Sequence, residues 1–480
     1  MEIKGVRVSE YYKLDRNQAS LDFVDVRIDT DVPLFIDPTS LHLFDSEWGR
    51  ECVSLIQSYF SLILQLICTD DLRAKKLLSV LGEPNETRLG FSRNKPQGHG
   101  MGRDLAEKMW LALKNSSAAK TGIIQELEDT ALLIDGIGSD VISDIVTNII
   151  RGQLIKYTQQ MCGYYNIPME SGIASGRVWN SRLQEWSQSF EALPIVNDKP
   201  LLLVPKTIVR HNITYDAASY YNVYILKYLG EREAARGLVR ILKNNRTRPL
   251  TKNELRDKFG KARKEQNRTY TPIFPEALSE YREEKRSHPR KPLTQTSIAE
   301  SLQASFPNWD ELISRLDVLE AGSSMAHQYE ALMKDILTAL FYPWLSNPIA
   351  QNQLHDGRKR IDITFDNVAN EGFFYWLREN YSAPLIMIEC KNYNQDLANP
   401  ELDQITGRFG VRRGCFGLIV CRKFDNKELF IQRCKDVSSD GRGYIIALDD
   451  DDVHSLILAA KASDKSERLS LLRERFQDLI

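Results

Sequence analysis

Between Pro384 and Tyr393 the chain reads PLIMIECKNY. An apolar run, Leu385 to Ile388, leads straight into a carboxylate, Glu389, and a lysine two positions on, Lys391. Such a composition predicts a buried strand, and burial disfavours unpaired charge. Alternation along a strand puts Glu389 and Lys391 on one face and Cys390 on the other. An acid and an amine sharing a face at a strand's end need partners, and a divalent metal with a phosphate serves both. Upstream, RIDITF (Arg360–Phe365) is a second β-like run with one carboxylate, Asp362, inside it. Two carboxylates on neighbouring strands plus a lysine suit a hard, oxygen-seeking cation and a scissile phosphate.

The elements that must hold these residues follow in order. MAHQYEALMKDILTALF (Met325–Phe341) reads as an opening helix carrying Glu330. PELDQITGRFG (Pro400–Gly410) sets Gln404 and Arg408 four apart, on one helical face. FGLIVCRKF (Phe416–Phe424) reads as a further strand, and GYIIALDDDDVHSLI (Gly443–Ile457) as a last strand running into a helix. The insert VANEGFFYWLREN (Val368–Asn380) has an aromatic stripe and reads as a short helix packing on the core; contact with nucleic acid is its other reading.

In this order, residues 322–480 resemble the PD-(D/E)xK nuclease superfamily, the restriction-endonuclease-like domain. Ile361 stands where that motif usually has a proline. The resemblance implies an α/β sandwich with a central mixed sheet. It implies Asp362, Glu389, Lys391, Glu330, Gln404 and Arg408 as catalytic residues. Asp362, Glu389, the Cys390 backbone carbonyl and Glu330 would hold Mg2+, with Mn2+ able to substitute. A water made acidic by the metal would attack the phosphodiester, with Lys391 orienting or deprotonating it or steadying the phosphate. Gln404 and Arg408 would brace the site. Arg358, Lys359 and Arg360 are expected to face the nucleic-acid backbone.

The 480 residues, 42% of them hydrophobic, suffice for two or three domains with real cores. The net charge of −2 argues against wholesale coating of nucleic acid, but the charge is uneven. Arg232–Lys291 holds 18 Lys/Arg against 8 Asp/Glu, a net +10, so the other residues sum to −12. Seven cysteines show no paired metal spacing, as expected of reduced thiols in a cytoplasmic protein. The opening MEIKGVRVSEYY does not read as a signal peptide, and Val53–Cys68, the most apolar run, is interrupted by Ser and Gln and is short for a bilayer. No membrane association is expected.

Residues 1–243 read as a mixed α/β, helix-rich domain of regulatory or targeting role. SLDFVDVRIDTDVPLFIDP (Ser20–Pro38) alternates like an edge strand, with Asp22, Asp25, Asp29 and Asp31 expected on a solvated face rather than on a metal. Glu51–Cys68 and much of Asp104–Tyr165 read as helix, KPLLLVPKTIV (Lys199–Val209) as a buried strand. Gly98, Gly100 and Gly102 precede a helix and form either a flexible loop or a phosphate loop. Asp140, between Asp135 and Asp144, is expected to cap a helix. Residues 244–321 read as a basic, partly helical linker. Its Lys261, Arg263, Lys264 and Arg268 either stay solvated or grip nucleic acid.

The whole is expected to be an α/β protein, with an α+β first domain, acting as a Mg2+-dependent endonuclease on DNA in bacterial defence against foreign DNA. A homo-oligomer is expected, switched by a regulatory partner protein or a nucleotide signal. The alternatives are a non-cleaving nucleic-acid-binding or scaffolding protein that keeps the nuclease fold, and an RNase or resolvase-type nuclease.

Overall fold

The apolar runs of the last third assemble into one five-stranded sheet. The structure, a computed structural model, describes residues 5–90, 101–237, 240–241, 247–354, 359–462 and 469–480. The strands are β1 (Leu345–Leu354), β2 (Lys359–Asn367), β3 (Leu385–Lys391), β4 (Phe416–Cys421) and β5 (Tyr444–Leu448), and they lie side by side in chain order. β2 runs antiparallel to both β1 and β3, while β3, β4 and β5 are parallel, so the sheet is mixed. Parallel strands need crossovers, supplied here by helices Asn399–Thr406 and Lys427–Ser439. Every residue of β4 is buried, as a central parallel strand covered on both faces requires. The protein is therefore α/β in class.

Helix Gly372–Tyr381 fills the gap between β2 and β3. It buries Phe373, Phe374 and Leu377, and Trp376 meets Phe476 edge to face at 5.4 Å between centroids. Phe373 and Phe374 of the aromatic stripe are thus committed to the core, while Tyr375 stays exposed.

The first unit is mainly helical. Helix Glu47–Thr69 begins where the Ser46 hydroxyl accepts from the Gly49 N–H, and it buries Cys52, Ile56, Tyr59, Phe60, Ile63, Leu66 and Ile67. At 23 residues it exceeds the apolar run seen in sequence and is long and apolar enough to cross a membrane by length and composition, but 44% of its most apolar window is buried against the rest of the fold. A long two-stranded hairpin, Glu170–Asn180 with Glu185–Leu193, has no counterpart in the sequence reading. All seven cysteines are unpaired.

Three expectations for this unit are corrected. Ser20–Pro38 is no solvated edge strand: only Phe35–Ile36 forms a strand there, and Asp22 and Asp25 are buried. The Ser9 hydroxyl and N–H both donate to Asp25, at 2.6 and 2.9 Å. Lys199–Val209 is buried but irregular, broken into Lys199–Pro200, a 3-10 turn at Lys206–Ile208, and Val209–Arg210. The segment from 247 to 321 is folded rather than a connector. Helices Lys252–Phe259, Lys264–Tyr270, Pro275–Ser287 and Gln295–Leu302 bury Leu255, Ala277, Leu278, Tyr281, Ile298 and Leu302 in the core of the first unit. Ala277, Leu278 and Tyr281 recur at helical spacing within a charged sequence, enough for one inward stripe. The next helix, Trp309–Val318, joins the core under the sheet instead.

The two units meet through a polar joint. Asp22, 1% exposed, accepts from the Tyr157 hydroxyl (2.6 Å), the Ser346 hydroxyl (3.0 Å) and the Asn347 N–H (3.1 Å), the last two at the start of β1. Beside it, the Thr207 hydroxyl donates to Ser346 (2.9 Å) and the Gln160 amide to the Asn347 side chain (2.9 Å) and the Pro348 carbonyl (3.2 Å).

Candidate active site

β2 and β3 share an antiparallel ladder that includes Ile363 opposite Ile388. Continuing that register by one pair sets Asp362 across from Glu389, on one face of the sheet. Here the Asp362 carboxylate accepts the Cys390 N–H at 2.9 Å, so a side chain takes a backbone donor at the strand's end. Glu389 is fully buried. Its Oε2 accepts from Lys391 Nζ (3.2 Å) and from Gln404 Nε2 (2.8 Å), and Lys391 Nζ also donates to Gln404 Oε1 (3.1 Å). Gln404 comes from helix Asn399–Thr406, whose first turn is fixed by Glu401 accepting the Ala398 N–H.

The other oxygen of this carboxylate, Glu389 Oε1, is buried without a hydrogen-bond partner. Arg408 Nε lies 3.9 Å from it but donates instead to the Arg360 carbonyl at 3.0 Å. Arg413 in turn donates to the Arg408 carbonyl at 2.8 Å, a brace that the sequence reading missed. Asn392, also overlooked there although it adjoins the motif, ties the end of β3 to the segment entering the sheet unit. Its side-chain amide N–H donates to the Glu320 and Gly322 carbonyls, and its backbone carbonyl accepts the Gly322 N–H. Only its place directly after Lys391 hinted at this.

The electrostatics follow from the crowding. Burial, and then Asp362 close by, push the Glu389 carboxyl up to about 7, against the pull of Lys391 and Arg408. Burial alone would lower the Lys391 ammonium; Glu389 and Asp362 outweigh it and hold that group above the ordinary lysine value. Lys391 is therefore a cation here, suited to donating a proton or steadying negative charge rather than removing a proton from water. Burial, then Asp362, Glu330 and Glu389, push the Cys390 thiol well above its usual range, which leaves it an inert thiol.

Of the expected residues, Asp362, Glu389, Lys391, Gln404 and Arg408 come together. Glu330, on helix Ala326–Phe341, lies 3.4 Å from Lys334 of its own helix; its Oε1 is buried without a hydrogen-bond partner, and its charge acts on the Cys390 thiol together with those of Asp362 and Glu389. Among the described residues no three His, Cys, Asp or Glu side chains form a ready metal cage. The acid pair nonetheless fits a hard cation, because Glu389 Oε1 is a buried carboxyl oxygen without a donor and Asp362 adds a second carboxylate beside it. Cys390, in the parallel ladder opposite Val420, lies between Glu389 and Lys391 along the chain.

Arg360 is exposed at the edge of the site and donates to Gln351 at 3.2 Å. Lys359 opens β2; Arg358 lies outside the described residues. The four basic residues expected to grip nucleic acid divide. Lys264 Nζ donates to the Ile134 and Ile137 carbonyls (2.7 and 2.5 Å), and burial pushes it down to about 8. Arg268 donates to the Leu133 carbonyl (3.1 Å) and Asp135 (2.7 Å). Both hold the 133–137 turn, so their charge is already used at a helix C-terminus. Lys261 and Arg263 are exposed. Gly98 and Gly100 lie outside the described residues, and Gly102 falls in the first turn of helix Met101–Asn115.

A family model described as a domain of unknown function (DUF8370) matches residues 13–216. That span covers much of the first unit and ends well before the acid pair. No curated protein and no solved structure matches the chain.

Proposed function

We propose that the chain is a metal-dependent nuclease of the PD-(D/E)xK kind, hydrolysing phosphodiester bonds of DNA, with residues 1–243 regulating or targeting it. One observation supports this above all. A fully buried glutamate has one oxygen held by a lysine and a glutamine and the other left without a donor, beside a second carboxylate. A carboxylate kept buried, half-satisfied and near like charge is costly unless a ligand completes it.

Asp362 and Glu389, with the Cys390 carbonyl, would hold a Mg2+ ion. When bound, Mg2+ supplies a more acidic water and neutralises charge on the phosphate. The protein's own residues do the rest. Gln404 fixes the rotamer of Glu389 through Oε2, which leaves Oε1 directed away from both donors. Lys391, a cation in this setting, donates to a phosphate oxygen or to the departing oxygen. Arg408, fastened to the Arg360 carbonyl, adds positive charge on the substrate side of Glu389.

Plasmid, linear duplex, single-stranded DNA and RNA, each incubated with Mg2+, Mn2+ or EDTA, test this reading. The expected result is cleavage of DNA with either metal and none with EDTA. Absence of cleavage of every substrate would leave the non-cleaving nucleic-acid-binding reading in its place.

A further inference from the structure

Far from the acid pair in sequence, a cavity of about 240 Å³ opens among the 3-10 turn Pro38–Leu43, helix Glu47–Thr69, residues 125–128 and helix Pro275–Ser287. Its walls are mixed: Val53, Ile56 and Phe60 supply apolar surface, and Glu128 and Arg286 supply charge. The polar groups of the 125–129 segment are satisfied with one exception. Gln125 accepts from Arg282 (3.0 Å). Glu126 takes Arg286 and the Tyr215 hydroxyl (3.3 Å). Asp129 takes Arg282 and the N–H groups of Gln125 and Glu126 (2.9 Å each).

Glu128 is the exception. It is 8% exposed and lines the cavity, yet among the described residues its carboxylate has only its own backbone N–H as a hydrogen-bond partner. Burial, with Asp129 and Asp37 adding to it, pushes this carboxyl up to about 7. A carboxylate that faces a cavity with no neighbouring side chain donating to it is suited to a ligand offering two N–H donors.

A second groove adjoins the cavity. The cavity walls His42, Val53 and Gln57 are shared with this groove of about 420 Å³, which carries Arg50 and, from helix Gly372–Tyr381 of the sheet unit, Arg378. The Arg50 guanidinium is largely exposed, held by Asp45 at 2.8 Å, and Arg378 contacts Glu379 at 3.3 Å. Such guanidinium groups are suited to phosphate.

We infer that this cavity binds a guanine nucleotide, with Glu128 accepting the two parallel N–H donors of the base, Phe60 and Ile56 against its ring, and the phosphate in the adjoining groove by Arg50 and Arg378. Guanine is favoured because only its pairing edge offers an imino and an amino N–H side by side, matching both carboxylate oxygens. A cavity with one apolar side and few convergent polar groups is the ordinary form of a small-ligand site. The assignment does not depend on the acid pair being a nuclease site.

Isothermal titration of the full chain with GMP, guanosine and AMP tests it. GMP should bind with one-to-one stoichiometry, and guanosine and AMP each about tenfold more weakly or worse. Glu128→Gln should weaken GMP binding by about tenfold or more with little change in melting temperature, because the amide presents a donor where the base needs an acceptor. Arg378→Ala should weaken GMP but leave guanosine unchanged. Should Glu128→Gln fail to fold, Val53→Trp, which fills the cavity from its wall, should abolish GMP binding in its place. No heat with GMP, equal affinity for AMP, or a folded Glu128→Gln that binds GMP normally would each overturn the assignment.

Discussion

Asp22 and Glu389 are both buried carboxylates, and they are completed in different ways. Asp22 is saturated: three donors from Tyr157, Ser346 and Asn347 surround it. Burial pushes it up, and Tyr157 and the buried Lys206 pull it back. Glu389 is half-finished, with donors on one oxygen and none on the other. The first arrangement is a structural fastening, since every group brought out of water has a partner. The second is kept out of water without that compensation, as expected where a ligand is to arrive.

Substitutions can break that contrast. Alanine at Asp362, Glu389 or Lys391 should lower cleavage by about a thousandfold or more, with the fold intact by circular dichroism. A mutant cleaving at the wild-type rate would remove its residue from the site. Asp22→Ala should do the reverse. It strands the Tyr157 hydroxyl, the Ser346 hydroxyl and the Asn347 N–H, and should cost about 3 kcal/mol in denaturant unfolding. If Glu389→Ala destabilised the protein as much as Asp22→Ala, the two carboxylates would not differ in kind.

A pH series sharpens the same contrast. The Glu389 value in the folded state is raised, to about 7, above its unfolded value. Its contribution to stability is therefore fully present below the unfolded value and is lost as pH rises through about 7. Between pH 5 and pH 8 the metal-free protein should lose about 2 kcal/mol that Glu389→Gln does not lose, and Mg2+ should restore stability to the wild type at pH 8. Melting curves with EDTA and with Mg2+ read both effects; parallel pH profiles for wild type and mutant would count against the unsatisfied oxygen.

The smallest effects concern Lys264 and Lys261. Lys264→Ala should cost about 1 kcal/mol through the lost Ile134 and Ile137 contacts and leave the salt dependence of DNA binding unchanged. Reversing Lys261 and Arg263 together should leave stability alone and flatten that salt slope by about two phosphates' worth. An unchanged slope would mean that this surface is merely solvated.

Four of the five strands of the sheet unit were legible because each carries its own signal; β1, the largely polar LSNPIAQNQL, was not. PLIMIECK and FGLIVC are apolar runs whose burial needs no distant information, and alternation alone paired Glu389 with Lys391. Asp22 was illegible for the opposite reason: Tyr157 and Ser346 lie far along the chain, so the local alternation of Ser20–Pro38 suggested solvent where the fold supplies donors. In the basic stretch, charge density hid a sparse apolar stripe, and Lys264 and Arg268 turned inward to backbone carbonyls that no sequence pattern marks.

β1 forms one border of the sheet, and a border strand ordinarily offers its free N–H and C=O groups to any strand that comes by. Here those groups are already taken near its start: Asp22 holds the Asn347 N–H and Gln160 the Pro348 carbonyl. The first unit thus serves the sheet as a chaperone built into the same chain. A fragment cut free at Gly322 would bare this seam, and its first hazard would be zipping onto its own copies rather than unfolding.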